Sequence, residues 1–523
     1  MKKDSELLNA VRDLFLHTRL IDLVMTLTRD KSILIINFEV NYFWVNSFAG
    51  DGMFIGREKE LSEMNRRYGE KRFQLFILYG RRRVGKTTLL KEFCRRKNHI
   101  FYSAEQSNVK LNLEKFSAEI FEHYGETALE PFRSWEKALS YIEERQREEP
   151  MVLVIDEFPY LAMIDSALLS TLQHLIDHRL QKGKLFLILC GSYMGFMEKE
   201  VLGAKSPLFG RRTAQLHMKP FDYLDSIRFM DGFSKEEKLM LYGAFGGTAL
   251  YLRQIRSGKS VKENITEAFL RPVSYLYEEP LLLMRQEVQE PGVYCAIIEA
   301  IAGGASRANE IAVKTGEESA KCLKYISTLR ELGIVYKEVP FGEKETSRKA
   351  LYSLSDFMFR FWYRYVSGNR TLLETDAQEI VWNRRIEPDY SHYMGQVFER
   401  VCRDYLLRQN SKGALPILFT EIGRWWGTDS KKHEQVEIDL IARDMDDYLF
   451  CECKWTNEPV DYQVLNRLRE KSEVFGGRRG KSYFMLFSKR GFTERVLEEA
   501  REKREVLLVD MGELLENGEE KRI

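Results

Sequence analysis

The run Gly80-Arg81-Arg82-Arg83-Val84-Gly85-Lys86-Thr87-Thr88 fits the spacing G-x-x-x-x-G-K-[ST] at every fixed position. That spacing is suited to phosphate. Glycines let successive backbone N–H groups curl round phosphate oxygens, and the helix that follows adds the positive end of its dipole. Lys86 is placed to reach the β- and γ-phosphates, and the Thr87 hydroxyl to ligate Mg2+. Arg81, Arg82 and Arg83 either add positive potential or stand as solvated surface. Further along, the apolar run Met151–Ile155 ends in Asp156 and Glu157. The first carboxylate suits Mg2+ and the second suits orienting and polarising an attacking water. Together the two motifs predict ATP and Mg2+ as cofactors, with Lys86 and Glu157 as catalytic groups.

A third apolar run, Leu185–Cys190, leads into Gly191-Ser192. Ser192 is either a sensor of the γ-phosphate or part of a strand-end turn. The stretch Ser206–Thr213 carries Arg211 and Arg212. They either stabilise transition-state charge, as arginine fingers do, or form an exposed basic turn.

A second set of reactive side chains lies near the C-terminus. Glu437-Ile-Asp439-Leu-Ile441 is followed after a turn by Tyr448-Leu-Phe-Cys-Glu452-Cys-Lys454-Trp455. Strand alternation predicts Glu437, Asp439 and Ile441 on one face. It puts Glu452 and Lys454 on one face of the next strand, and Leu449, Cys451, Cys453 and Trp455 on the other. Charges inside apolar strands are costly unless paired or bound to metal. Asp439 and Glu452 therefore emerge as metal ligands, and Lys454 as the group that polarises water or stabilises developing charge. Glu399, on the shoulder of a helical stripe made by Phe398, Val401, Cys402, Tyr405 and Leu406, adds a further candidate ligand. The alternative is a Glu452–Lys454 salt bridge with no chemistry.

These groups need elements to hold them. Phe73–Tyr79 has the length of a strand, and Leu89, Leu90, Phe93 and Cys94 form a helical stripe behind the glycine loop. Strand and helix patterns alternate from about 54 to 216, turn helical to about 289, and alternate again over 388–515. Three helices and a hairpin are predicted over 291–355. The expected domains are 53–219, 220–290, 291–387 and 388–523, preceded by an extension, 1–52. That extension is either a real helix and strand or a segment ahead of a start at Met53. The most apolar early stretch, Ser32–Phe48, is too short and polar to span a bilayer comfortably, so no membrane partner is expected.

With 523 residues there is room for roughly three domains. The formal charge of +1, from 80 basic and 79 acidic residues, excludes a chain-wide attraction to nucleic acid. The seven cysteines include no zinc-type set, which points to reduced thiols and a cytoplasmic setting, with Cys451 and Cys453 as core residues.

Phe54-Ile-Gly56-Arg57-Glu-Lys-Glu-Leu61, the Gly80–Thr87 loop, Ile155-Asp-Glu-Phe158 and Ser206-Pro-Leu-Phe-Gly-Arg-Arg212 together resemble the archaeal-type ATPase family, within the STAND branch of AAA+-like NTPases. The resemblance implies that Gly56 and Arg57 lie near the adenine and that a helical lid follows the core. It also implies possible ATP-dependent homo-oligomers. The lid motif of that family has proline where this chain has Ala249, which puts the detail of lid coupling in doubt. The 291–355 pattern resembles a winged helix; Lys321, Lys324, Arg330, Lys344, Arg348 and Lys349 are its candidate phosphate contacts. Glu399, Asp439 and Glu452-x-Lys454 resemble the PD-(D/E)xK nuclease-like fold. The expected fold class is therefore α/β multidomain: a P-loop AAA+-like ATPase core, helical lid, winged helix and C-terminal restriction-endonuclease-like domain. Three functions remain open: an ATP switch driving a nuclease-like effector on DNA or RNA, a signalling or scaffolding ATPase whose C-terminal domain only binds, and a nucleotide-responsive DNA-binding regulator.

Overall fold

The computed structural model describes residues 54–127, 129–145, 150–476 and 480–516. The chain divides into two compact units, Met1–Phe54 and Ile55–Ile523, and the fold described is that of the second. The expectation for residues 1–52 lies outside the described residues.

Five strands, β1 (Gln74–Tyr79), β2 (His99–Ser103), β3 (Met151–Asp156), β4 (Leu185–Gly191) and β5 (Ala214–His217), form a parallel sheet in the order β2-β3-β4-β1-β5. Every residue of β1, β3 and β4 is buried, as continuous apolar strands are when helices cover both faces. This order flanks β4 with β1 and β3. The carboxyl ends of all three therefore open on one crevice, where ligands bind in open α/β sheets.

Helices follow from Tyr223 to Glu287, then three more, Pro291–Ala302, Ala308–Thr315 and Ser319–Glu331. Next comes an antiparallel hairpin of β6 (Val335–Glu338) and β7 (Leu351–Leu354). The helix Phe357–Tyr365 begins at Asp356, whose carboxylate accepts the Phe359 N–H at 3.1 Å as an N-cap. Six aromatic side chains of this helix are buried. The long helix Glu387–Ser411 leads into the second sheet.

That sheet has the order β12-β11-β10-β9-β8. β8 (Glu421–Asp429), β9 (Glu434–Asp444) and β10 (Asp447–Lys454) run antiparallel; β11 (Ser482–Ser488) and β12 (Val506–Asp510) continue parallel to β10. The parallel crossovers are the helices Tyr462–Phe475 and Glu494–Glu502.

The nucleotide sheet has its own hydrophobic core. The helical region, the long helix and one face of the second sheet share a single larger one. The other face of the second sheet packs on the Tyr462–Phe475 helix. That larger core runs uninterrupted across positions 290 and 387. No helix among the described residues is long and apolar enough to cross a membrane.

Candidate nucleotide site and C-terminal carboxylates

The glycine loop joins β1 to the helix Lys86–Cys94. Gly80 has φ +154°, and a Cβ there would lie 2.3 Å from the Met218 carbonyl oxygen. Gly85, at φ +100°, sets the helix start. Both positions need glycine, one for close approach and one for a conformation side chains disfavour. Gly80→Ala is therefore expected to abolish ATP binding, as read by a fluorescent nucleotide.

The Lys86 ammonium is buried and donates to the carbonyls of Gly80 (2.8 Å) and Arg81 (3.1 Å). The Thr87 hydroxyl donates to Asp156 at 2.7 Å. The chain turns at Glu157, φ +50°, before the helix Phe158–Ile164. There its carboxylate accepts the Ser192 hydroxyl at 2.8 Å and the Ser192 N–H at 3.3 Å. Lys86, Thr87, Asp156, Glu157 and Ser192 are thus brought together at the ends of three adjacent strands. Gly56 and Arg57 lie beside the loop: the Arg57 guanidinium donates to the carbonyls of Lys219 (2.6 Å) and Val84 (3.4 Å) and sits 4.1 Å from the centre of the Phe221 ring.

The three loop arginines are not solvated surface. Arg81, 3% exposed, donates to Thr248 (2.9 Å) and Asp356 (2.6 Å). Arg82 donates to the Tyr160 hydroxyl (2.8 Å) and to Ser192 (3.3 Å), and lies 3.9 Å from Glu287. Arg83 pairs with Glu279, which also accepts the Tyr251 hydroxyl at 2.6 Å. Each arginine so meets a different carboxylate from the helical region. Burial holds the Glu287 carboxyl above its usual range. Sequence reasoning missed these acids; for Glu279 and Glu287 the signal was a carboxylate inside an apolar helical stretch. Ala249, where the family motif has proline, occupies the first position of the helix Ala249–Leu252, a position where proline is merely favoured. Thr248 holds Arg81, and the Leu250 N–H points to the Arg83 carbonyl at 3.4 Å.

Arg211 forms a two-pronged pair with Asp177, and Arg212 donates to the Leu202 carbonyl at 2.9 Å. Neither is bonded to the Lys86–Asp156–Glu157 group. A role in hydrolysis would require them to leave these partners or to serve a second copy's site.

In the C-terminal sheet, Leu449, Cys451, Cys453 and Trp455 share the core under the long helix, as alternation predicts. β9 departs from simple alternation. Its register against β8 shifts between Gly423 and Trp425, so that Ile438 and Ile441 join one cluster while Leu440 joins the other. Such a bulge re-aims neighbouring side chains. Asp439 accepts the Cys453 N–H at 2.8 Å. Glu452, 5% exposed, is bonded to Lys454 (2.7 Å) and to Lys471 (2.8 Å). Lys471 was not anticipated; it lies three residues beyond Leu468 on the inward side of the helix Tyr462–Phe475. Burial, then the Asp439 charge, pushes the Glu399 carboxyl up to about 8. Burial, then Glu452, pushes Asp439 up to about 6. No three His, Cys, Asp or Glu side chains among the described residues stand so as to hold a metal ion. The metal expected across Glu399, Asp439 and Glu452 thus has no ready-made cage: two lysines already neutralise Glu452.

Residues 54–255 match the family model of an ATPase domain predominantly from Archaea. Residues 362–470, which include Glu399, Asp439, Glu452 and Lys454, match that of archaeal and bacterial proteins of unknown function. The chain is 31% identical over 464 residues to the uncharacterized protein MJECL04 of Methanocaldococcus jannaschii, covering 88% of this chain and 99% of that one. It is 51% identical over 45 residues to the uncharacterized ATP-binding protein MJ0423 of the same archaeon, 9% of this chain and 76% of the other. Among solved structures it is similar to the Walker-type ATPase PABY2304 of Pyrococcus abyssi, with 21% identity and a TM-score of 0.44 over 60% of this chain and 96% of that one.

Proposed function

We propose that this chain, which belongs to the family of the M. jannaschii protein MJECL04 and is a P-loop ATPase with an archaeal-type ATPase domain over residues 54–255, is an ATP-driven switch whose C-terminal domain acts on nucleic acid. The observation that carries the switch is the set of loop arginines, each ending on a different carboxylate of the helical region. A phosphate entering the Gly80–Thr87 loop competes for these guanidinium groups. Nucleotide state is thereby felt by Glu279, Glu287 and Asp356 at once.

At the ATP site Lys86 binds the β- and γ-phosphates, and Glu157, positioned by Ser192, orients and polarises the attacking water. Thr87 and Asp156 present hard oxygens 2.7 Å apart, a pair that fits Mg2+. Bound there, the ion would neutralise phosphate charge. Arg211 and Arg212 are proposed to serve a neighbouring copy in an ATP-dependent assembly.

The C-terminal reading rests on chemistry of the PD-(D/E)xK type: Asp439 and Glu452-x-Lys454 on paired strands, with Glu399 on the packed helix. The lysine clamp on Glu452 favours a second reading, in which this domain binds nucleic acid without cutting it. Supercoiled plasmid, linear DNA and single-stranded RNA, incubated with and without Mg-ATP, separate the two. Cutting that Lys454→Ala abolishes supports the effector. Binding without cutting, alongside ATP turnover abolished by Lys86→Ala, leaves the binding domain.

A further inference from the structure

The hairpin β6–β7, expected to present basic side chains outward, has the start of its connecting loop docked on the C-terminal sheet. Phe341, three residues beyond β6, is 8% exposed and sits inside the apolar cluster of that sheet's outer face. Its ring lies 6.2 Å from that of Phe475 and 5.7 Å from the Arg443 guanidinium. Its N–H donates to the Arg424 carbonyl on β8 at 2.8 Å. Glu338 approaches Arg424 at 3.8 Å, and Tyr336 lies under Arg400 of the long helix. An apolar plug, a main-chain bond and two charged contacts thus hold the hairpin against the sheet and the long helix packed on it.

This docking borders a half-open cavity of about 150 Å3, and its lining explains the consequence. Tyr336, Glu338 and Ser353 of the hairpin form one wall. Glu399 and Asp439 form part of the opposite wall. The volume is well under the ~300–1,000 Å3 of pockets that enclose small ligands. It admits a phosphate group but not a nucleic-acid strand with its bases. Resting on the reading that this domain acts on nucleic acid, we propose that the β6–β7 hairpin is a roof over Glu399 and Asp439 that must lift before a strand reaches them. The fold also supplies a link to the nucleotide. β7 ends at Leu354, and two residues later Asp356 receives Arg81 of the phosphate loop. One turn along the same helix, Arg360 lines the roofed cavity.

The test uses the full-length chain and carbodiimide-driven amine labelling of carboxylates, located by mass spectrometry. Phe341→Ala removes the plug; Phe341→Leu keeps an apolar one. Labelling of Glu399 and Asp439 should rise several-fold in Phe341→Ala and return toward the wild-type rate in Phe341→Leu, with ATP turnover unchanged in both. Unchanged labelling in a folded Phe341→Ala protein overturns the roof. Should that variant unfold, the wild type decides: labelling must track hydrogen exchange at the Phe341 amide as the chain is warmed below unfolding, and labelling that outruns exchange overturns the roof. A single-stranded fluorescent DNA and its RNA counterpart separate the two claims. Raised labelling in Phe341→Ala without gain in binding or cutting leaves the roof standing and removes the nucleic-acid reading.

Discussion

Asp356→Ala is expected to destabilise the chain by about 3–5 kcal/mol, the cost of removing one partner from a buried ion pair. The pair is closed from water, with side-chain exposures of 3% for Arg81 and 7% for Asp356 and a contact of 2.6 Å. Alanine leaves the Arg81 guanidinium with Thr248 as its remaining side-chain partner, and two of its nitrogens already make no hydrogen bond. It also removes the cap on Phe359, worth ~1 kcal/mol by itself. Asparagine separates the terms, because it keeps the cap and an acceptor while deleting the charge. The expected order of thermal transitions is wild type, then Asp356→Asn, then Asp356→Ala. The double variant Arg81→Met with Asp356→Asn removes both charges and should lie above Asp356→Ala. Calorimetry reads the order, and fluorescent nucleotide reads a second consequence. The Arg81 carbonyl accepts from Lys86, so a displaced Arg81 should weaken ATP binding as well. Loss of stability with wild-type ATP affinity would sever the proposed link between loop and helical region.

That link marks the limit of what the chain's sequence conveys. The grouping of Lys86, Thr87, Asp156 and Glu157 was legible because each stands at the end of an apolar strand and within a local spacing. Lys86 follows Gly80 by one loop, and Asp156 and Glu157 close the strand that carries them. Sheet order then brings Ser192 to Glu157, since β4 lies beside β3. The partners of Arg81, Arg82 and Arg83 were not legible, since the nearest in sequence of the three carboxylates, Glu279, belongs to another region of the chain. Asp356 also serves as an ordinary helix cap, and nothing in its own surroundings in the sequence ties it to the phosphate loop. The same holds for Phe341: an aromatic residue in the connecting loop of a hairpin has no periodic neighbour to mark it as buried. On β9, alternation gave a direction for Asp439 that the register shift opposite Gly423 and Trp425 altered. A bulge depends on the partner strand, and one strand's pattern does not contain it.

Glu157→Gln should lower the ATP turnover number by about 10²–10⁴, the usual contribution of a positioned general base or water-orienting group, while leaving ATP affinity within a few-fold of wild type. Glutamine has the shape of glutamate and still offers the Ser192 hydroxyl and N–H an oxygen to donate to, at the positions now 2.8 and 3.3 Å away. What it lacks is the charge that polarises water. The Lys86 and Thr87 contacts to phosphate do not pass through it, so binding persists. Lys86→Ala provides the contrast, losing binding and turnover together. Ser192→Ala tests the positioning: removing one hydrogen bond to a charged group should cost turnover by about tenfold, near the lower end of 1.5–3 kcal/mol, with affinity again retained. Steady-state kinetics with a fluorescent-nucleotide titration distinguish these cases. Turnover in Glu157→Gln within a few-fold of wild type would remove Glu157 from the reaction. The same protein, holding ATP without spending it, is the form in which any ATP-dependent assembly should accumulate, and light scattering on it would show whether Arg211 and Arg212 meet a second copy.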